Sequence, residues 1–505
     1  MISLFPALAA MIIGQSSIVV DDFETVAGWK ATPSDGVSLI VSRGTGLHGG
    51  AMQLDFDFHG HGGYAVVHRD LKLSLPANYE FSFQIKGPAP VNALEFKLID
   101  PTGDNVWWSN NPGYVFGPDW KSFTRKKRQI SFAWGPLGGG EMKDVAGIEL
   151  AITAGSGGKG TVWIDDLQLT PLEPQGPYTL TPRLTASSAA AGHEASMAID
   201  SNPATSWRTS AQPADSATFN SDFLKRREFG GLTIDWENGH RPIQYSVSTS
   251  IDGSNWTKAS TVGPSSAIRD YLYLPESDAR YVRLTAIPAN MSGAWLGISG
   301  IVVEPLAWSG TMNDFYLAVA MDAKPGDYPR YYSRKQNYWA VIGVSGDTRE
   351  GLIDEQGAIE SGKGQFSIEP FLFSNGRIIT WNDAKRSTGV VGDDLPIPTV
   401  TWKSPGTALT ITSFAWGAPD SSVLYARYTI HNTTSSAQKS RLYVAIRPFQ
   451  VNPPSQFLNT QGGSAMIDSI SYDGSRVRVN ADRRVLPLTQ ASGFGASGFD
   501  EGNIV

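Results

Sequence analysis

The chain is expected to be all-β, with three β-sandwich modules in a row. Three observations predict this. Fifty-three glycines and 31 prolines among 505 residues supply turns at short intervals. Charged residues make up only 18% while aromatics reach 11%, which suits short strands joined by turns better than amphipathic helices. Apolar and polar residues also alternate in stretch after stretch, the period of a half-buried strand.

Composition excludes several function classes. A net charge of −7 argues against nucleic acid as a partner. The absence of cysteine rules out disulfides, thiol nucleophiles and cysteine zinc sites. Residues 1–17 are apolar for about 13 positions and then turn small and polar, as in a secretory signal. No Lys or Arg precedes that apolar run, which departs from the usual pattern. A secreted or periplasmic location is expected. No other apolar run approaches the ~18 residues of a membrane span, so no transmembrane segment is expected.

The first module covers residues 18–172. Alternation is plain in Ala51-Met-Gln-Leu-Asp-Phe-Asp-Phe58, in Tyr79-Glu-Phe-Ser-Phe-Gln-Ile85 and in Leu94-Glu-Phe-Lys-Leu-Ile99. In Asp104-Asn-Val-Trp-Trp108, period-two geometry sends Trp107 and Trp108 to opposite faces, one of them toward the core. Trp108, with Tyr64, Tyr114 and Trp134, is a candidate sugar-stacking platform; ordinary packing is the alternative. His59-Gly-His61 has a spacing some metal sites use, but lacks a third ligand. The run Arg125-Lys-Lys-Arg128 reads as a solvated strand edge, with contact to an acidic polysaccharide as the alternative. The module opens on Asp21-Asp-Phe-Glu24 and closes on Gly160-Thr-Val-Trp-Ile-Asp-Asp-Leu-Gln-Leu169. That pair resembles the galactose-binding-like jelly rolls, especially the family 11 carbohydrate-binding modules. The resemblance implies that first and last strands lie side by side. It also implies a structural calcium on Asp22, Glu24 and Asp166, unless these acids merely cap strand ends.

A proline-rich linker, residues 173–182, separates this module from a second one at 183–305. Residues 194–207 read Glu-Ala-Ser-Met-Ala-Ile-Asp-Ser-Asn-Pro-Ala-Thr-Ser-Trp, a loop rich in turn residues. Its oxygen-bearing side chains Asp200, Asn202 and Thr205 suit a hard cation such as calcium. Tyr245-Ser-Val-Ser-Thr-Ser-Ile-Asp-Gly-Ser-Asn-Trp256 and Ala279-Arg-Tyr-Val-Arg-Leu284 follow. Together these three motifs resemble the discoidin, or coagulation factor V/VIII type C, domain, whose bacterial relatives include the family 32 carbohydrate-binding modules. The resemblance implies that Glu304 joins the calcium ligands, that Trp207 packs in the core, and that ligands meet loops at one end of the barrel. His193, Arg208, Arg226, Arg227 and Trp295 have suitable chemistry there. Arginine forks onto two hydroxyls or a uronate carboxylate. Trp295, between Gly293 and Gly297, is a candidate stacking ring.

The link Glu304-Pro-Leu306 is short, so the second and third modules are expected to pack together. The third, 306–505, carries strand-like runs at Ala408–Phe414, Val423–Ile430 and Arg441–Ile446, then Arg447-Pro-Phe. It resembles the β-sandwich that precedes an (α/α)6 barrel in glucoamylase-like hydrolases and the cellobiose-phosphorylase group. Such a barrel needs about twelve helices, over ~300 residues, and is not encoded here. The chain is therefore expected to be an exported, polysaccharide-binding protein, the C-terminally truncated, non-catalytic half of a glycoside hydrolase. Two alternatives stand beside that reading. One is an active site inside the chain, drawing on Asp347, Glu350, Asp354, Glu355, Asp393 or Asp394, which otherwise read as solvated loop acids. The other is adhesion to protein or lipid head groups through exposed spikes at Phe223 and Trp295. There is no Gly-x-Ser-x-Gly elbow and no phosphate-cradling loop.

Overall fold

A computed structural model describes residues 16–174, 178–210, 216–287, 295–392, 394–456 and 461–499. Most of the signal-like segment, the Gln175–Pro177 part of the linker, Gly293 and Asp393 lie outside the described residues. The chain is all-β and divides into two compact units, Met1–Pro177 and Tyr178–Val505.

The first unit is a sandwich of two six-stranded sheets. Alternation puts Tyr79, Phe81, Phe83 and Ile85 inside from one sheet and Leu94, Phe96 and Leu98 from the other. Phe81 meets Phe96 across the gap, with ring centroids 5.0 Å apart. Each such side chain contributes about 1.5–3 kcal/mol by leaving water. The first strand, Ile18–Asp21, pairs with the last, Lys159–Pro171.

The second unit begins with a seven-stranded sheet built on two long strands, Ala217–Trp236 and Arg269–Ile287. They pair along most of their length, with irregularities between Asp222 and Arg227 and between Phe229 and Gly231. Leu224 and Glu276 take positive φ of 68° and 57° at this break. The two halves recruit different neighbours. Residues 231–236 pair with Gly297–Glu304, while 219–222 pair with Arg183–Ala186. The halves then close over Trp207, Phe219, Trp236, Leu284 and Ile298, all at most 4% exposed. That closure brings the ends of both long strands together at one end and leaves the 222–227 corner at the other.

Residues after 305 open with an α-helix, Met312–Asp322, that a strand-based reading does not anticipate. Thr311 accepts the Asp314 amide at its N-terminus, and the Thr311 hydroxyl donates to the Asp314 carboxylate. This Thr-x-x-Asp signature precedes an apolar run and is present in the sequence. The helix buries Phe315 against Trp308 (5.0 Å) and Tyr273 (5.2 Å). Arg269 bridges Asp235 and Asp322 beside it. The second and third modules are thus one body. Beyond the helix, two sheets enclose a core of Ile353, Ile359, Ile368, Leu372, Val400, Trp402, Leu409 and Ile411.

Two acids depart from their expected role as solvated loop residues. Asp347 is 7% exposed and accepts the Arg349 amide (2.9 Å) and the Ser422 hydroxyl. Asp354 is 5% exposed and accepts the amides of Gln356 and Ala358. Burial pushes its carboxyl up to about 7 despite those bonds.

Candidate functional site

Backbone pairing gathers four distant segments at the closed end of the second module. Trp207 and Arg208 pair with Ile298 and Gly297. The Glu237 amide donates to Gly297 O (2.9 Å), and the Gly297 amide to His240 O (3.1 Å). The Arg208 amide donates to His193 O (3.3 Å). Position 297 must be glycine for this approach, because a Cβ there would lie 2.5 Å from Glu237 Oε2.

On this frame Glu237 Oε2 accepts three hydrogen bonds: from Arg208 Nε (2.7 Å), Ser206 Oγ (3.0 Å) and Trp295 Nε1 (3.4 Å). Burial raises the Glu237 carboxyl, but bonds from Arg208, Ser206 and Trp295 outweigh it and hold the group below the usual carboxylate range. Arg208 is fixed through Nε, and among the described residues its two Nη nitrogens have no hydrogen-bond partner. The guanidinium lies 5.2 Å from the Trp295 ring. The other wall is His240, stacked on Trp295 at 4.2 Å and 14°. His193 Nδ1 contacts Ser206 O (2.8 Å) and His240 Nδ1 contacts Trp295 O (3.1 Å). A carbonyl only accepts, so each Nδ1 carries hydrogen, and in the neutral ring Nε2 is an acceptor. The result is an aromatic wall, a free guanidinium fork and two ring acceptors within one site.

Of the expected binding residues, His193, Arg208 and Trp295 meet here, while Arg226 and Arg227 do not. Arg226 forms a bidentate pair with Asp278, and Arg227 lies over Tyr178 at 4.2 Å, both at the opposite corner. Phe223 is fully buried there, so it is no exposed spike. Trp207 is 2% exposed and packs on Phe219. Glu237 and His240 join the site without any motif in the sequence that marks them. His240 stood in the sequence within Gly-His-Arg-Pro, residues 239–242, but no local pattern joins it to Trp295.

The calcium expectation divides by site. In the 200–205 loop, Thr205 Oγ1 donates to Asp200 Oδ2 (2.7 Å) and the Asn202 amide to Asp200 Oδ1 (2.9 Å). Both Asp200 oxygens are thus engaged by the loop's own donors at an exposed position. Glu304 is not part of this loop. It sits six residues beyond Ile298 on its strand, about 20 Å away, and accepts the Thr233 hydroxyl (2.7 Å). In the first unit the acids do not fit a shared ion. Glu24 accepts the Gly50 amide and pairs with Arg43 (2.6 Å), Asp22 accepts the Glu24 amide (3.2 Å), and Asp166 pairs with His48 (2.7 Å). The buried acids are their neighbours. Asp21 accepts Trp29 Nε1 (2.7 Å), and Asp165 accepts the Leu47, His48 and Asp166 amides. Among the described residues, no three His, Cys, Asp or Glu side chains group as a metal site.

The first unit carries a second candidate surface. One row across its second sheet reads Ser131, Trp108, Lys97, Glu149, His68 and Lys30, on the face away from Leu94, Phe96 and Leu98. Lys97 lies between Glu95 (3.0 Å) and Glu149 (3.7 Å) and beneath the rings of Trp134 (5.6 Å) and Tyr64 (5.9 Å). Lys97 is only 7% exposed on a face turned from the core, so that face is concave. Trp134 and Tyr64 remain 47% and 46% exposed, and Trp108 meets Trp134 edge-on at 5.7 Å. Trp107 takes the opposite face and enters the core. Tyr114 does not join the platform. It packs against Phe116 (4.9 Å) and Phe123 (6.0 Å) at the core. Arg125 likewise departs from a solvated edge, donating to Ser109 Oγ (2.8 Å).

Residues 183–301 match the F5/8 type C domain. Among solved structures, the chain is similar to the family 11 carbohydrate-binding module of a cellulosomal cellulase of Clostridium thermocellum, at 17% identity over 31% of this chain and 96% of that one, TM-score 0.27. It is also similar to chitosan-binding module 1 of a chitosanase/glucanase from Paenibacillus sp. IK-5, at 23% identity over 25% and 97%, TM-score 0.23. A third is the family 32 carbohydrate-binding module of NanJ from C. perfringens, in complex with galactose, at 21% identity over 24% and 92%, TM-score 0.22. No curated protein matches the chain. Among the described residues, no helix is long and apolar enough to cross a membrane.

Proposed function

We propose that this protein binds carbohydrate through the closed end of its F5/8 type C domain. The observation that carries the reading is the convergence of a stacked Trp295–His240 wall with Arg208 Nη nitrogens that have no hydrogen-bond partner among the described residues. A pyranose offers an apolar face to the ring and hydroxyl pairs to the fork, and the His193 and His240 Nε2 atoms accept from further hydroxyls. Glu237 is a positioning residue, holding Arg208 and Trp295 without facing the ligand itself. The concave face with Trp108 and Trp134 is a second carbohydrate surface on the same chain, and two such modules raise effective concentration at a polysaccharide. Calcium would brace the 200–205 loop through Asp200 and Thr205 without taking part in recognition. The reading extends to an exported protein serving the polysaccharide-binding half of a glycoside hydrolase, on the third module's resemblance to hydrolase β-sandwiches. The test is a glycan array probed with the whole chain and with Arg208→Ala and Trp295→Ala. Glycan hits lost in both variants are expected. No glycan hit, or no hit that is lost in both variants, would overturn the proposal; hits made by the other carbohydrate surfaces of the chain persist in both.

A further inference from the structure

The four-stranded sheet Lys385–Val391, Leu395–Ser404, Thr407–Trp416 and Val423–Asn432 has one face in the core, through Val400, Trp402, Leu409 and Ile411. Its other face is organised in three bands. At one end Phe414 and Tyr425 stack at 5.2 Å and 12°, and beyond them Trp416 stands 72% exposed. Across the middle run hydroxyls: Thr401 and Thr410 lie 3.3 Å apart, flanked in register by Ser387 and Thr429. At the far end Lys385 pairs in register with Lys403, while Arg427, opposite Thr412, stands on the other side of the hydroxyls, next to the aromatic band.

The charge on this sheet is one-sided. Its four strands contain no Asp or Glu, in a chain whose net charge is −7. Lys385, Lys403 and Arg427 are exposed and have no ion-pair partner among the described residues. Acids Asp394 and Asp420 sit in turns at the aromatic end, away from the lysines. Solitary exposed cations are common, but a carboxylate-free sheet with stacked aromatics, hydroxyl rows and three cations unpaired among the described residues is not explained by solubility.

We propose that this face binds a polyuronate. The aromatic band takes the apolar face of a sugar ring, the threonine rows exchange hydrogen bonds with hydroxyls, and Lys403 and Arg427 meet carboxylates. Lys403 and Arg427 are four residues apart in register, about 14 Å along the strand direction, with neutral hydroxyls between. Cations that sparse suit a chain bearing one carboxylate per sugar better than a densely sulfated one. The site is separate from the Arg208–Trp295 end and does not depend on it.

The experiment is affinity electrophoresis of the whole chain in gels containing polygalacturonate, its methyl ester or dextran sulfate, at low and raised salt. Native protein is expected to be retarded by polygalacturonate and not by the methyl ester, with the effect fading as salt screens exposed charge. Lys403→Gln/Arg427→Gln should weaken the retardation about tenfold, the scale of two exposed ion pairs lost together. Trp416→Ala should weaken it severalfold, and Arg208→Ala/Trp295→Ala should leave it unchanged. All these positions are surface-exposed or half-exposed, and an unchanged melting temperature confirms folding. Equal retardation by the methyl ester, retardation by dextran sulfate alone, or insensitivity to the Lys403/Arg427 and Trp416 changes would overturn the proposal. Loss with Arg208→Ala/Trp295→Ala only would also overturn it while leaving the glycan site of the second module standing.

Discussion

Replacing Glu237 with Gln isolates what its charge does. Three donors, from Arg208, Ser206 and Trp295, converge on one carboxylate oxygen at 2.7–3.4 Å. An amide oxygen in the same place accepts the same bonds, so the shape of the site survives and only the charge-assisted part is lost. Hydrogen bonds to charged groups contribute about 1.5–3 kcal/mol. The Arg208 and Glu237 side chains are 31% and 20% exposed, so solvent screening reduces that range. A loss of about 1–2 kcal/mol in ligand affinity is expected, which is roughly 5–30-fold in Kd. Calorimetric titration of the glycan identified by array measures it, with Trp295→Ala as the reference for complete loss. A Kd within twofold of native, beside a large loss in Trp295→Ala, would refute the argument that Glu237 positions Arg208. The pH profile supplies a second check. The Glu237 carboxyl is held below its ordinary value of 4.5. Its contribution is therefore full above that value and is lost only as pH falls through the lower folded one. Native affinity should persist to more acidic pH than a free carboxylate would allow, and the Gln variant should lack that acid limb.

Asp354 predicts the opposite sign: its carboxyl rises from 3.8 to about 7 in the fold, so the folded chain holds a proton that the unfolded chain has released. Stability should fall as pH rises through that window, by an order of ~4 kcal/mol in total, and thermal melts of Asp354→Asn should be flat there; a native profile that is already flat would contradict the burial argument. Calcium should raise the melting temperature of the native chain, and Asp200→Ala should abolish the rise while Glu304→Gln leaves it intact; a rise dependent on Glu304 would mean that the loop and the strand end meet. In the first unit, Trp134→Ala should weaken glycan binding with little change in melting temperature. Tyr114→Ala should instead cost about 2 kcal/mol or more in stability, as truncation of a packed aromatic does, and equal effects on binding would return Tyr114 to the platform.

What was legible in the sequence was whatever is local or periodic. Alternating strands, the second module's identity and the burial of Trp207 rest on patterns within about a dozen residues. Parity failed where the backbone breaks its own period. Phe23 and Asp166 both take positive φ, 53° in each case. A residue turned in this way sends its neighbours off the alternating course, and Asp21 and Asp165 are buried where Asp22 and Asp166 were expected to act. The same holds for Arg226 and Arg227, which follow the irregularity at 222–227 and face their own corner. The helix at Met312 had its capping signature in plain view, but the surrounding strand-rich composition outweighed an 11-residue element.

The binding end was only half legible for a different reason. Arg208 and Trp295 announce themselves by residue type, but what makes them a site is Glu237, 29 residues from one and 58 from the other. Nothing in the neighbourhood of Glu237 distinguishes it from any other strand-end acid. Its role follows from two strand pairings, Trp207 with Ile298 and Trp236 with Ile298, which make residue 298 the hinge point shared by both partners. Given that shared neighbour, Glu237 and Arg208 must lie on either side of Gly297, and glycine is the one residue that lets the carboxylate pass between them. Replacing Gly297 with Ala should therefore displace Glu237 and release Arg208. The predicted result is an affinity loss at least as large as in Glu237→Gln, though residue 297 contacts no ligand in the proposed site. Equal affinities in Gly297→Ala and native protein would show that the site does not depend on this close approach.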